Sequence, residues 1–393
     1  MTSITGRHGM RNPRTVFLAI LLLAAVAGWA LVSRAAQTDA PPATLTAIKV
    51  EAVAEGLENP WGLQFLPDGR LLVTERPGRI RIVSPEGKVS EPVSGVPAVH
   101  ARGQGGLLDI RLAPDFSSSG TVFFSFSEPR GEGTSATAVA RAKLTLDDKG
   151  GGALSDVRVI FKQQPARPTS HHYGSRIVPA PDGTLFVTTG DRGDGDMAQR
   201  PDTHIGKVLR IAPDGSAPAD NPKLQGWLPE IWSLGHRNMQ GAAIDPTTGQ
   251  LWTVEHGARG GDELNHPQAG KNYGWPIISY GRHYTGFKIG EGTAKDGLEQ
   301  PVYYWDPSIA TSGLAFVTSD RFRGWKGSVL VGGLAGARIS RLTLEGGKIA
   351  SEETLIADEG HRIRDVREAP DGAIYALVDE ARGSILKITP AAK

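Results

Sequence analysis

From Leu66 onward, one pattern of apolar and polar positions returns along the chain. Leu66-Pro67-Asp68-Gly69-Arg70-Leu71-Leu72-Val73-Thr74-Glu75, Ala180-Pro181-Asp182-Gly183-Thr184-Leu185-Phe186-Val187-Thr188-Thr189 and Ala369-Pro370-Asp371-Gly372-Ala373-Ile374-Tyr375-Ala376-Leu377-Val378 each place a Pro-Asp-Gly turn before a short β-branched and aromatic run. Such a run behind a turn signal predicts a β-strand. Weaker copies stand at Ala113-Pro114-Asp115 before Thr121–Phe124, at Asp245-Pro246 before Gln250–Val254 and at Thr318-Ser319-Asp320 before Ser328–Val331. The six copies lie about 47 to 74 residues apart, the spacing of four-stranded propeller blades carrying insertions. The expectation is all-β: a six-bladed β-propeller with four-stranded antiparallel blades. Each small sheet buries its faces only against its neighbours, so the ring must close, and the strand near Ile48–Val53 is expected beside Ser384–Thr389. Two stacked β-sandwiches are the alternative.

Composition agrees with this pattern. The 393 residues include 50 Gly and 27 Pro, and 39% are apolar. That is a globular chain rich in turns, large enough for one big core or two ordinary domains. A net charge of +1 and the lack of long like-charge runs argue against a nucleic-acid partner. With no cysteine, disulfides, thiolate metal sites and cysteine nucleophiles are excluded. Arg7, Arg11 and Arg14 precede an uncharged apolar run from Val16 to Val32, and small residues at Ser33, Ala35 and Ala36 follow. Residues 1–36 therefore read as a secretory signal peptide, with an uncleaved membrane anchor as the alternative. Both place the folded part outside the cytoplasm, periplasmic or secreted, with no membrane contact beyond the N-terminal segment. Residues 37–47, rich in Pro, Ala and Thr, read as a linker, and 48–393 as the propeller domain.

Chemistry is concentrated between Gly235 and Pro276, where Gly235-His236-Arg237-Asn238, Glu255-His256-Gly257, Gly261-Asp262-Glu263-Leu264-Asn265 and Asn272-Tyr273-Gly274-Trp275-Pro276 fall within about forty residues. Gly permits sharp turns and exposed carbonyls, carboxylates are hard oxygen ligands for calcium, and Arg is a planar fork for anionic oxygens. A calcium-assisted anion site is the first reading. Gly103–Leu107, His171–Arg176, Gly190–Asp194, Tyr303–Trp305 and His361–Asp365 stand at comparable places in their repeats. In a propeller they gather at one mouth of the channel.

His172-Tyr173-Gly174-Ser175-Arg176, Gly190-Asp191-Arg192-Gly193, Gly206-Lys207-Val208-Leu209-Arg210, the Gly235–Gly241 segment, Asp262–Asn265, Asn272–Pro276 and Arg362-Ile363-Arg364-Asp365 together resemble the soluble pyrroloquinoline-quinone (PQQ) dependent glucose/sorbosone dehydrogenase family, in particular its aldose sugar dehydrogenase branch. The resemblance is colinear from about Gly56 to Ile388. It implies a six-bladed propeller, PQQ and calcium, with oxidation of aldose sugars at C1 to lactones and electrons passed to an external acceptor. By the same resemblance His172 is the general base, Asp191 orients it, and Arg237 and Asn238 bond the quinone oxygens. Gln104 is a polar contact near His172, Arg362 and Arg364 meet the cofactor's carboxylates, and Trp305 is an apolar wall for a ring. One calcium would rest on the Gly257 and Ala258 carbonyls, and a structural one on the Glu263 carboxylate and the Tyr273 carbonyl, with Asp262 nearby. The chain departs from the family at Ala335, where some glucose dehydrogenases carry a cofactor-binding Lys; Arg338 stands three residues later. Short loops at 194–204 and 282–300 imply an open cleft and broad sugar tolerance. A calcium-dependent lactonase or esterase on the same fold, and a non-catalytic binding module, are the alternative classes.

Overall fold

The computed structural model describes residues 36–391, and all but the last residue of the segment 1–36 read as a signal peptide lies outside them. The first strand, β1 (Ile48–Leu57), pairs antiparallel with the last, β23 (Gly383–Pro390), from Ile48 opposite Pro390 to Leu57 opposite Gly383. With β21 (Ile363–Glu368) and β22 (Ile374–Val378) they complete a blade built from both ends of the domain. That pairing covers two strand edges at once and closes the ring.

The other blades follow in sequence. They are β2 (Pro60–Phe65) to β4 (Arg79–Val83), β5 (Leu107–Leu112) to β8 (Gly152–Lys162), and β9 (Ile177–Pro179) to β12 (Ile231–Leu234). Then come β13 (Met239–Ile244) to β16 (Tyr303–Trp305) and β17 (Thr311–Phe316) to β20 (Lys348–Leu355). Five blades have four strands. The first has three, and its outer position is filled by irregular chain bonded through Ser90 and Val93 to the Ile82 and Ile80 carbonyls. Helix among the described residues is limited to single turns at Phe116–Ser119, Asp196–Gln199 and Ala357–Glu359.

Each predicted turn joins the first two strands of its blade, including Asp68-Gly69, Asp182-Gly183 and Asp371-Gly372. The alternation within strands then buries both faces, because six apolar clusters fill the six contacts between neighbouring blades. On the axis, fully buried Arg176 reaches Asp109 at 3.0 Å and Asp365 at 3.2 Å, tying three blades across the channel. Its guanidinium lies 4.3 Å from the Trp61 ring, a cation–π contact that also helps to fill the axis.

Segment 37–47 is not a free linker. Gln37 pairs with Tyr303, Pro42 pairs with Glu352, and the Ala40 N–H donates to the Tyr303 hydroxyl at 3.1 Å. These bonds lay the segment over the fourth and fifth blades and satisfy backbone groups that an exposed linker would give to water.

Candidate active site

His172 lies in the connection from β8 to β9, with φ at +51°, in the left-handed region. That conformation costs a non-glycine residue about 1–2 kcal/mol, and the surroundings hold it in place. The Gln104 carboxamide oxygen accepts the His172 N–H at 2.8 Å, and the next-door loop carries Gly190, where a Cβ would stand 2.1 Å from the His172 carbonyl oxygen. Only glycine fits there. Gln104 thus positions the His172 backbone.

The imidazole Nδ1 is 2.6 Å from Asp191 Oδ1, with His172 half-buried and Asp191 buried. Gly193 N–H also donates to Oδ1 at 2.8 Å, and the Trp275 indole N–H donates to Oδ2 at 2.8 Å. Burial acts to raise the Asp191 pKa, but the His172 bond and the Arg237 charge outweigh it and hold the carboxyl below its ordinary value. An ionised Asp191 keeps the proton on Nδ1 and leaves Nε2 as the ring's base.

Arg237 and Asn238 end the connection from β12 to β13. Arg237 donates to the His256 carbonyl at 3.1 Å, and its guanidinium lies 5.2 Å from the Trp275 ring. Asn238 Oδ1 accepts the Gly174 N–H at 3.1 Å. Three buried polar atoms here lack a partner within the protein: Arg237 Nε, Asn238 Nδ2 and His256 Nε2. Such orphans mark places where a polar ligand or water completes the bonding. Burial, with the Arg237 and Arg364 charges, keeps the His256 imidazole well below its ordinary pKa, hence neutral.

Trp275 is the site residue whose role was not legible. It sits on the long excursion between β15 (Asp262–Asn265) and β16, which runs beside the end of β12: Tyr273 N–H donates to the Leu234 carbonyl at 2.8 Å and Trp275 N–H to the Gly235 carbonyl at 2.9 Å. The motif Asn272–Pro276 flagged the segment, but not which strand end it would reach. Trp305, expected as the ring wall, is instead packed in the core between the fourth and fifth blades, with its indole N–H on Glu352 at 3.0 Å. Strand β16 pairs with β15 and so turns this ring into the blade contact; Trp275 takes the position at the cleft. His172, Asp191, Arg237, Ala258 and Trp275 line a cleft of about 740 Å³, with Tyr284 at its rim.

Beside it lies a small cavity of about 10 Å³, lined by Glu255, Gly257, Glu263 and Tyr273 among others. The Asn265 amide bridges the two carboxylates, at 2.9 Å from Glu255 and 3.0 Å from Glu263. Burial and the neighbouring Glu255 charge push the Glu263 carboxyl up to about 8. Asp262 is occupied as a brace, accepting from Gly257 N–H and the Ser308 hydroxyl, both at 2.8 Å. Among the described residues no group of three or more His, Asp or Glu is arranged around one point, so a cation here would depend on carbonyl oxygens as well.

Arg362 and Arg364 do not share one environment. The chain bulges between Ile363 and Asp365; Arg362 is exposed just before β21, and Arg364 is buried, bonded to Asp379 and Gln240. Ala335 is exposed at the turn before β19 (Arg338–Glu345), and partly buried Arg338 opens that strand opposite Gly333.

The family model for Glucose / Sorbosone dehydrogenase matches residues 57–387. The chain belongs to that family. It is 44% identical to the aldose sugar dehydrogenase YliI of Escherichia coli (strain K12), over 89% of this chain and 94% of that protein. The crystal structure of the soluble Escherichia coli aldose sugar dehydrogenase in its apo-form superposes with a TM-score of 0.84 at 43% identity, covering 88% of this chain and all of the other. The PQQ-bound form of the aldose sugar dehydrogenase from Streptomyces coelicolor superposes with a TM-score of 0.73 at 31% identity, covering 88% and 99%. This glucose/sorbosone dehydrogenase family member is a sugar dehydrogenase, an oxidoreductase on a six-bladed propeller.

Proposed function

We propose that the chain is a PQQ- and calcium-dependent aldose sugar dehydrogenase that oxidises the C1 hydroxyl of aldoses to lactones and passes the electrons to an external acceptor. The observation that carries this reading is the His172–Asp191 pair, 2.6 Å apart, opening on the cleft that Arg237 and Trp275 also line. PQQ, when bound, supplies the two-electron acceptor for the C1 hydride.

The chain's own residues handle charge and protons. His172 Nε2 takes the proton from the C1 hydroxyl, and Asp191 stabilises the imidazolium that results. Arg237, anchored on the His256 carbonyl, presents positive charge where negative charge develops on the acceptor, and Asn238 Nδ2 adds a hydrogen-bond donor. Neutral His256 adds no competing cation. Arg362 and Arg364 provide guanidiniums for a carboxylate-bearing cofactor.

The donor set suits calcium. Ala258 lines the cleft and Gly257 the small cavity beside it, and their carbonyls would hold a cation that would supply Lewis acidity. The pocket between Glu255 and Glu263 sets two carboxylates and the Tyr273 segment around a space the size of one water or ion, and a cation there relieves their repulsion. The basic, apolar start of the sequence supports export of the folded domain from the cytoplasm. Among the described residues no helix is long and apolar enough to cross a membrane.

The deciding experiment adds PQQ and calcium to the apoprotein, follows the quinone absorption, and then adds an aldose. Bleaching by the sugar is expected. A quinone spectrum unchanged by every aldose removes the reading.

A further inference from the structure

The turn between β3 (Leu71–Glu75) and β4 carries Arg76, a residue to which none of the motifs pointed. Its N–H donates to the Asn59 carbonyl at 3.1 Å, the Asn59 amide donates to Asp379 Oδ1 at 3.0 Å, and the Asp379 N–H donates to the Arg362 carbonyl at 2.8 Å. Asp379 Oδ2 accepts Arg364 Nε at 3.0 Å. The Arg76 and Arg362 main chains and the Arg364 guanidinium are thus tied to the Asn59–Asp379 junction between the first and last blades, and the Arg76 charge acts on Asp379 as well. Burial lowers the Arg364 pKa most, Asp379 works against it, and the Arg76 and Arg362 charges add to the lowering.

The charges around this cluster do not balance. Asp379 is engaged by Arg364, Glu75 pairs with Arg79 and Arg81, and Glu380 faces His361 at 3.5 Å. Arg362 makes only a long bond, 3.4 Å, to the Leu334 carbonyl. Arg76 bonds the Gly103 carbonyl through one terminal nitrogen, while its Nε is buried without a partner. Gly106 supplies the room for it: a Cβ there would lie 1.9 Å from the Arg76 carbonyl oxygen and 2.6 Å from its Cγ. Gly103 in turn adjoins Gln104, which holds His172.

We infer that Arg76 is the third guanidinium of a tricarboxylate receptor with Arg362 and Arg364, supplying the anion contact that the family lysine would make at Ala335 and linking the occupied receptor to the Gln104–His172 loop. The inference rests on the PQQ reading of the site. Planar guanidiniums with unused donors are suited to bidentate carboxylate binding, and three of them against one internal carboxylate leave an excess positive charge for an anionic ligand.

The test titrates PQQ into the calcium-loaded apoprotein and reads equilibrium binding by tryptophan quenching, without turnover. Arg76→Gln keeps a donor within reach of the Gly103 carbonyl and removes the charge. It is expected to weaken PQQ binding roughly ten- to a hundredfold and to flatten the salt dependence of affinity. Arg76→Lys, which keeps the charge, should lose less. A neutral PQQ triester should bind wild type and Arg76→Gln alike, an outcome that a general loosening of the fold does not give. Wild-type affinity in Arg76→Gln, or an equal loss for acid and ester, overturns the inference while leaving the cofactor reading intact. A loss confined to Arg338→Ala transfers the role to Arg338 and overturns it too. Failure of the wild-type protein to bind PQQ removes both.

Discussion

Trp275 donates its indole N–H to Asp191 Oδ2 at 2.8 Å, while the other oxygen of the same carboxylate faces His172 Nδ1 at 2.6 Å. One carboxylate is thus clamped from both sides, by a residue of the third blade's loops and by one carried on the fourth blade's excursion. A carboxylate with a fixed direction holds an imidazole in one tautomer and one plane, which is what a base needs if its free nitrogen is to meet a substrate hydroxyl.

His172→Ala is expected to lower kcat by roughly 10²–10⁴ and leave PQQ affinity within a few-fold of wild type. Stopped-flow reduction by an aldose, beside a binding titration, checks both; parallel loss of binding and reduction contradicts the role of base. Asp191→Asn should fall in the same range, because an amide can present its N–H to Nδ1 and turn the tautomer over.

The pH dependence of the pair follows from the lowered Asp191 value. A carboxyl held below its ordinary 3.8 in the folded state contributes stability that is complete above that value and lost as pH falls through the folded one. The stability difference between wild type and Asp191→Asn is therefore expected not to shrink from about pH 8 down to about pH 5, and to be lost only in stronger acid. Urea unfolding of both proteins across that range measures it. A difference that shrinks between about pH 7 and about pH 5 contradicts the ionised pair.

Trp275→Phe keeps the ring near Arg237 and removes the donor to Asp191. Losing a bond to a charged acceptor costs about 1.5–3 kcal/mol, so kcat is expected to fall roughly ten- to a hundredfold. Trp305→Phe, in the core between blades, should lower the melting temperature and leave kcat near wild type. The reverse result would return the cleft role to Trp305.

The propeller was legible because Asp68-Gly69, Asp182-Gly183 and Asp371-Gly372 mark the same turn in three blades, and a turn type is fixed by local chemistry. Ring closure by the Ile48 strand followed from the need to cover edges. His172, Asp191, Arg237 and Asn238 were singled out through motif order, and the fold brings the first three to one cleft. Trp275 and Trp305 were not separable, since both are aromatic residues in aromatic motifs and only the path of the chain between β15 and β16 decides which reaches the cleft. Arg76 drew no notice for a similar reason. Thr74-Glu75-Arg76-Pro77 reads as an ordinary strand end, and its partners Asn59 and Asp379 are far away in sequence. Segment 37–47 was misread because Pro, Ala and Thr also suit an extended arm that borrows hydrogen bonds from strands beneath it.

Calcium should stabilise the protein through the pocket at Glu263. Saturating calcium at about a hundred times its dissociation constant adds about 2.7 kcal/mol, seen as a rise in melting temperature. Glu263→Gln replaces a carboxyl that, with its value pushed up to about 8, stays protonated at neutral pH without a cation. The variant is expected to be at least as stable as wild type without calcium and to lose most of the calcium-dependent rise. Calorimetry with calcium and with chelator distinguishes this from a purely structural acid, for which calcium would shift both proteins equally.

The closing strand offers the last prediction. Leu57 is fully buried at the end of β1, in the cluster with Leu63, Val73, Leu377 and Ile385 that joins the last blade to the first. Its pairing with Gly383 is the final contact of the closing register. Leu57→Ala removes a large side chain from a packed contact and should destabilise by about 2–5 kcal/mol, read as a lower urea midpoint with kcat little changed below the transition. Deleting residues 48–57 goes further, because it bares β23 as an edge strand and opens an apolar face. That truncated protein is expected to aggregate, and recovery of a soluble, fully active monomer would show that the ring does not depend on β1 for closure.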